Sequence, residues 1–420
     1  MESAEASEKV LRNAMPLVEL PVDGRLATAI AIVLPAGARH ERPDEVGAAH
    51  LLEHLAFKGT EQHPTATGLN RAAEYLGTEL DAVSSADCVE FSTAVRAECA
   101  MPAVELLSEL AATPLLSECE LERERAVVCQ EIADADDDPA SRADDLLSAA
   151  LFAGHRLAAK VTGELADVQA LTHDRLLAFR RRQWSPAGGL AVLAGNLGHL
   201  DRDRIMQLLA GIPERPLPPP PPPPPHFVAR TELEQRDGDV VHLRLAYEVG
   251  GLDLRRRRDR ATAEVFSQLV GGPMGSRLSD ELREQHALCY WIDGQVWGYR
   301  TSAFLSVSCS VAPSGLDEAC ARIQAILARL RSGGPTDEEH CRFRAYSTGA
   351  VTLDLESISA RLDHAVEMVM QHGDHDLDPA LYIREIDSVT RGELAQLAAN
   401  VHPQPCIGCV GPASTADFYV

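Results

Sequence analysis

The sequence predicts an α+β (α/β) protein of two homologous domains, and three observations support this prediction. The chain has 420 residues, which is enough for two or three domains with substantial cores. Eight consecutive prolines, Pro218–Pro225, divide it near its middle. Segments of the first half recur in the second half at a nearly constant offset, which indicates a duplicated domain. We therefore expect domains at 1–213 and 229–420, joined by a linker at 214–228.

In the first half, hydrophobic periodicity separates strands from helices. The apolar run at 27–34 ends in the turn residues Pro35-Ala36-Gly37 and is typical of a strand. The alternation of apolar and polar residues at 89–95 predicts a half-buried strand. Helices are expected where apolar residues recur every three or four positions. These helices lie at 47–57, 67–76, about 98–112 and 118–136.

The proline run predicts a stiff connection between the two halves. Consecutive prolines adopt the polyproline II conformation, which rises about 3.1 Å per residue and gives a spacer of roughly 25 Å. We favour a plain domain linker over the alternative, a docking site for a domain that binds polyproline.

The second half repeats the pattern of the first. Leu34–Gly37 corresponds to Tyr247–Gly250, and Leu171-Thr172 corresponds to Val389-Thr390, with offsets of 213 and 218 residues. Both halves also end in a helix followed by a strand. This regularity is what a duplicated domain predicts.

Composition limits the classes of partner. The formal net charge of −24 argues against nucleic acid as a partner. No apolar run approaches the roughly 20 residues that a membrane-spanning helix needs. The segment Met1–Lys9 is acidic and polar, unlike a secretory signal. We therefore expect a cytoplasmic protein without membrane contact, whose ten cysteines are reduced.

The helix at 47–57 carries the pattern of a metal site. His50 and His54 are one helical turn apart, so both imidazoles project from the same face. Two histidines in this arrangement can share one zinc ion. Glu53 lies beside them and can take a proton from metal-bound water. The order H-x-x-E-H is the inverzincin motif.

The helix at 118–136 supplies candidate carboxylates. Leu121, Glu124, Val128, Glu131 and Ala135 form one stripe, so two carboxylates interrupt a face that should be buried. One interpretation is chance placement at the edge of the helix. The other makes Glu131 the third ligand of a single zinc ion and Glu124 the group that orients one histidine.

The group of candidate metal-site residues occurs once in the chain. Where the first half has His50, Glu53 and His54, the second half has Glu264, Ser267 and Gln268. We therefore expect one zinc ion per chain.

These residues resemble the pitrilysin-type zinc peptidases, the family that includes mitochondrial processing peptidase and insulin-degrading enzyme. The resemblance extends from about 17 to 413 and omits the proline run. The motifs that carry it are His50–Thr60, Leu121–Ile132, Gly271–Leu278 and Arg283–Tyr290.

The resemblance implies a mixed β-sheet with helices packed on it in each domain. It implies zinc bound by His50, His54 and Glu131, with Glu53 as general base. Arg283 and Tyr290 would come from the second domain to hold the peptide backbone or stabilise the oxyanion. The peptide substrate would add as a strand along Leu80, Asp81, Ala82 and Val83, although the family commonly has Asn at the position of Asp81.

The resemblance also implies an assembly. Relatives enclose their substrate between four such domains, and this chain supplies two, so we expect a homodimer, with a heterodimer as the alternative. The expected activity is zinc-dependent cleavage of peptides or leader segments inside a closed chamber. The competing hypothesis is a non-catalytic peptide-binding or scaffold subunit.

Overall fold

The computed structural model describes residues 7–10, 15–215, 223–299, 302–414 and 418. The chain forms two compact units. The first comprises Met1–Asp134, Lys160–Pro222 and Leu355–Asp378, and the second comprises Ala135–Ala159, Pro223–Asp354 and Pro379–Val420. Residues 216–222, which include most of the proline run, lie outside the described residues, so the polyproline II spacer stays a prediction.

The first unit is built on a six-stranded sheet of the described residues, in the order β1-β2-β6-β3-β5-β4. Its strands are β1 (Ser7–Val10), β2 (Pro16–Pro21), β3 (Ala27–Leu34), β4 (Asp81–Ser84), β5 (Val89–Arg96) and β6 (Leu190–Gly195). β2 and β6 pair in parallel, and the other neighbours pair antiparallel. The sheet is therefore mixed, and β4 forms one of its edges.

Helices cover both faces of this sheet. They are α1 (Ala48–Ala56), α2 (Ala66–Leu76), α3 (Ala100–Ala112), α4 (Glu118–Asp137), α6 (Leu165–Ala170), α7 (His173–Gln183), α8 (Arg202–Ala210) and α12 (Ile358–Glu367). The helix between α4 and α6, α5 (Pro139–Leu151), belongs to the second unit. In β3, Ile30 and Ile32 pack into the core that contains α1 and α3, whereas Ala29 and Ala31 pack toward α12. Burial on both faces explains why 27–34 is a continuous apolar run.

The second unit contains a five-stranded sheet of the described residues, in the order β7-β11-β8-β10-β9. Its strands are β7 (Thr231–Gln235), β8 (Val241–Glu248), β9 (Cys289–Tyr299), β10 (Ser302–Val311) and β11 (Cys406–Gly411). Its helices, besides α5, are α9 (Arg257–Val270), α10 (Leu316–Gly333), α11 (Asp337–Asp354), α13 (Pro379–Asp387) and α14 (Arg391–Ala399). No helix among the described residues is both long and apolar enough to span a membrane.

The two sheets share one topology. The order β2-β6-β3-β5-β4 corresponds strand for strand to β7-β11-β8-β10-β9. The first pair in each series is parallel, and the remaining pairs are antiparallel. The prediction of two homologous domains with mixed sheets is confirmed, and β4 and β9 are equivalent edge strands.

The compact units do not follow the two halves of the chain. The segment 135–159, which contains α5, belongs to the second unit, and 355–378, which contains α12, belongs to the first. α5 packs directly on β11, where a Cβ atom added to Gly408 would lie 2.3 Å from the backbone nitrogen of Leu147. Arg244 on β8 also binds Asp144 on α5, with 2.6 Å between Nε and Oδ1.

This close approach makes Gly408 a critical contact for α5. We expect Gly408→Ala to lower the free energy of unfolding by roughly 1–3 kcal/mol, because the added methyl group must push the helix away from the sheet. Thermal and chemical denaturation measure the effect. Gly238→Ala is the matched control, since a Cβ atom there would have no neighbour within 4 Å. Equal stability of the two variants would contradict the proposed contact.

Candidate metal centre

A buried carboxylate fixes the start of α1. Glu41 is 4 % exposed and accepts hydrogen bonds from the backbone N–H groups of Gly47 (3.1 Å) and Ala49 (2.8 Å). These donors belong to the first turn of the helix, where N–H groups lack partners within the helix and a negative charge is favourable. Gly47 itself has a φ of +85°, which glycine tolerates best.

The apolar side of α1 is anchored in the core of the first unit. Leu51, Leu52 and Leu55 are buried there, and the helix also packs against β4 and α7. His50 is buried, and His54 is half-buried. The packing of the leucines thus holds both imidazoles on one side of a fixed helix.

Glu131 on α4 faces both imidazoles. Its Oε1 lies 3.6 Å from Nε2 of His50, and its Oε2 lies 3.5 Å from Nε2 of His54. Ligand atoms at the corners of a tetrahedron with bonds of about 2.1 Å are roughly 3.4 Å apart. Glu131 is therefore spaced from each imidazole as a ligand of the same zinc ion would be.

Glu53 is the second carboxylate beside the histidines. Ligand atoms of His50, Glu53 and His54 all lie within 4.8 Å of one another. Two carboxylates therefore lie near the imidazoles, and Glu131 is the one that approaches Nε2 of both histidines. Burial raises the pKa of Glu53. The neighbouring Ser84 on β4 offsets part of this rise, although its Oγ makes no hydrogen bond of normal geometry.

Further groups set the chemistry of the two imidazoles. Oε2 of Glu124 lies 3.4 Å from Nδ1 of His54, and Oε1 of Glu124 lies 2.9 Å from Nζ of Lys58. The carboxylate can thus hold the His54 ring with Nε2 directed toward Glu131. Burial lowers the pKa of His50, which favours the neutral imidazole that binds metal. Nδ1 of His50 has no hydrogen-bond partner among the described residues.

The predicted peptide-binding residues lie at a sheet edge. Asp81, Ala82 and Val83 belong to β4, and Leu80 directly precedes that strand. Within the described sheet, β4 pairs only with β5, so its other side is an unpaired edge. Asp81 is exposed, and its Oδ1 accepts a hydrogen bond from the N–H of Ala82 (2.9 Å).

Arg283 and Tyr290 lie together in the second unit. The guanidinium carbon of Arg283 is 5.2 Å from the centre of the Tyr290 ring, within the range of a cation–π contact. Arg283 lies on a π-helix, Ser279–Gln285, and Tyr290 is the second residue of β9. The Tyr290 side chain is strongly exposed, at 86 %. Both groups are therefore available to a ligand of this unit.

Sequence reasoning missed the cap of α1. Asp44 and Glu45 shortly precede α1 in the sequence, where acidic residues favour a helix start, but neither caps the helix. Instead Glu45 forms a double ion pair with Arg182, and exposed Asp44 lies 3.5 Å from Arg175. Glu41 performs the capping role from six residues before Gly47, and no periodic pattern marks such a position.

The sequence matches two models of one family. Residues 22–164 match insulinase (peptidase family M16), and residues 170–345 match the peptidase M16 inactive domain. The chain belongs to the insulinase family. The predicted resemblance to pitrilysin-type peptidases is thereby confirmed.

Curated relatives of this insulinase-family chain carry the name zinc protease. An uncharacterized zinc protease of Mycobacterium leprae is 28 % identical over 89 % of this chain and 84 % of its own length. One of Bacillus subtilis is 26 % identical over 83 % and 84 %. These names support a hydrolase of the peptidase type.

Solved structures share the fold. A peptidase M16 inactive domain from Pseudomonas fluorescens has a TM-score of 0.88 at 17 % identity, covering 98 % of this chain and 99 % of its own. A protease from Helicobacter pylori has a TM-score of 0.83 at 19 % identity, covering 97 % and 99 %. At such identities the likeness concerns the fold alone.

The capping role of Glu41 can be tested by stability. We expect Glu41→Ala to lower the free energy of unfolding by about 1–3 kcal/mol, because two buried N–H groups lose their acceptor. Denaturant titration followed by circular dichroism measures this change. Asp44→Ala is the matched control, since its exposed carboxylate should contribute less than about 1 kcal/mol. A larger effect at Asp44 than at Glu41 would refute the assignment.

Proposed function

We propose that this insulinase-family protein is a zinc-dependent endopeptidase that cleaves peptides or leader segments. The observation that carries the proposal is the approach of Glu131 to Nε2 of both His50 and His54, at 3.6 and 3.5 Å. Two imidazoles and one carboxylate are a donor set suited to catalytic zinc, which keeps a fourth position for water. Each chain would bind one zinc ion through these residues.

Zinc, when bound, would lower the pKa of a water molecule and polarise the scissile carbonyl group. Glu53 accepts the proton of the attacking water and passes it to the leaving amine. Its raised pKa suits this exchange, because a carboxylate that accepts and returns a proton works best near the pH of the reaction. Glu124 holds the His54 ring in the required orientation.

The edge of β4 offers a place for the peptide. Its unpaired backbone groups can form hydrogen bonds with an extended chain, and the residues concerned are Leu80, Asp81, Ala82 and Val83. α1 packs against β4, so a peptide on this edge would lie close to the helix that carries Glu53.

Arg283 and Tyr290 supply hydrogen-bond donors from the second unit. A guanidinium and a phenol can bind the peptide backbone and stabilise negative charge on the carbonyl oxygen as the tetrahedral intermediate forms. Their mutual contact at 5.2 Å holds the two groups together before a substrate arrives. We assign them this role in a closed chamber on the strength of the family resemblance.

The role of Glu53 gives the direct test. We expect Glu53→Gln to retain zinc while its turnover of unstructured peptides falls about 10²–10⁴-fold, because the proton acceptor is lost. Metal analysis and a fluorogenic peptide assay measure the two quantities. Glu61→Gln, at an exposed position after α1, is the matched control.

Two outcomes would overturn parts of this proposal. Undiminished turnover by Glu53→Gln would reject Glu53 as the base. A wild-type protein that binds peptides but holds no zinc, and shows no cleavage sensitive to chelators, would instead support the peptide-binding or scaffold subunit.

We also infer that two copies associate in the working enzyme. The family arrangement of four domains supports this, because one chain contributes two. Sedimentation velocity should give twice the mass of a single chain, and the dimer should carry the peptidase activity. An active monomer would contradict the inference, whereas a chain that gains activity only with a homologous subunit would indicate a heterodimer.

A further inference from the structure

The second unit contains a pocket whose lining is unusual for a site that binds only peptide backbone. The pocket has a volume of about 530 Å³ and includes Arg283 in its wall. The wall also contains a negatively charged group, because Asp293 lines the same pocket together with Trp291 and Tyr346. A volume of this size accommodates a large amino-acid side chain.

Asp293 is a half-buried carboxylate without a compensating cation. It lies on β9, and no ion pair links it to any cationic side chain among the described residues. Burial raises the pKa of Asp293, and only the backbone N–H of Gly294 acts in the opposite direction. A carboxylate removed from water without a partner is costly, so this position favours a cation brought by a ligand.

The aromatic and apolar walls suit the same ligand. Trp291 and Tyr346 are 49 % and 46 % exposed, and Met274 is 52 % exposed, so each has substantial surface open to contact. An indole or phenol ring attracts a guanidinium or ammonium group through its face, and the methionine side chain can pack along an aliphatic stem.

The backbone around Asp293 is tightly fixed. A Cβ atom added to Gly271 would lie 2.2 Å from the backbone nitrogen of Gly294, so the end of α9 packs directly against β9. The loop that follows, Gly272–Gly275, also lines the pocket. Asp293 is therefore held by a rigid strand, which lowers the entropy cost of binding.

Arg283 does not neutralise Asp293. Its guanidinium lies over the Tyr290 ring, and its Nε is 3.4 Å from Oε1 of Glu284. No ion pair joins Arg283 to Asp293 among the described residues. Arg283 can then bind a backbone carbonyl group while Asp293 binds a side chain.

We propose that this pocket is a specificity subsite for a basic side chain of the peptide, in which Asp293 pairs with the guanidinium or ammonium group and Trp291 covers its face. The proposal rests on the proposed peptidase function and names a substrate class for it. The net charge of −24 acts in the same direction, since it attracts cationic peptides.

Cleavage of matched peptides tests the subsite. Peptides would differ at single positions that carry Arg, Lys or norleucine, the last as an uncharged side chain of similar length. We expect wild-type kcat/KM to be about 10–100-fold higher for a basic residue at one position, as a charge-assisted contact predicts. Asp293→Asn should bring the ratio of kcat/KM between the basic and norleucine peptides to about one. Asp239→Asn, on an exposed loop, is the control with the same change of charge.

A binding measurement separates this proposal from the peptidase function. Tryptophan fluorescence of the Glu53→Gln protein, titrated with the same peptides, should show Arg and Lys peptides binding about tenfold more tightly than the norleucine peptide. Asp293→Asn should remove the difference, and Trp291→Phe should remove the signal. Equal binding of all peptides would overturn the subsite. Selective binding without wild-type cleavage would overturn only the peptidase.

Discussion

The candidate metal centre depends on ionisable side chains that α1 and α4 bring together, of which Glu124 is buried whereas the Glu131 side chain is 45 % exposed. Buried Glu124 meets His54 and Lys58, while Glu131 reaches both histidines from the next turns of the same helix. The buried charge of Glu124 is tolerated only because His54 and Lys58 compensate it. The leucines of α1 and the Glu41 cap fix the geometry in which this compensation occurs. The arrangement thus couples the packing of the first unit to the chemistry that we assign to it.

The sheet topology is shared by both units, but the chemistry is not. Glu264, Ser267 and Gln268 occupy the positions on α9 that His50, Glu53 and His54 occupy on α1. Nε2 of Gln268 donates to Oε1 of Glu264 (3.0 Å), and Oγ of Ser267 accepts from the N–H of Val296 on β9 (2.8 Å). These groups find partners within the protein. Duplication therefore preserved the fold while one copy kept polar groups that converge on a common point.

Much of this molecule could be predicted because its signals are local. The apolar run at 27–34, the alternation at 89–95 and the stripe on 118–136 identify β3, β5 and α4 within a residue or two. The packing of these elements against one another could not be predicted in the same way. The packing of α5 on β11 does not follow from its sequence, because the partner, Gly408, is more than 250 residues away. The same limit applies to Glu41 and Asp293, whose roles depend on burial and on neighbours from other elements.

The equivalence of β4 and β9 bears on how the two units divide their work. Both are edge strands, so both expose backbone groups that can pair with an extended chain. β4 lies beside the helix that carries Glu53, whereas β9 carries Tyr290, Trp291 and Asp293, whose side chains can contact a ligand directly. Backbone pairing at an edge is insensitive to sequence, while pockets for side chains discriminate. On the proposed function, backbone pairing at β4 would accept many sequences, whereas the side chains of β9 would select among them. On this reasoning, substitutions on β9 should change substrate choice, and substitutions on α1 should change the rate for all substrates alike.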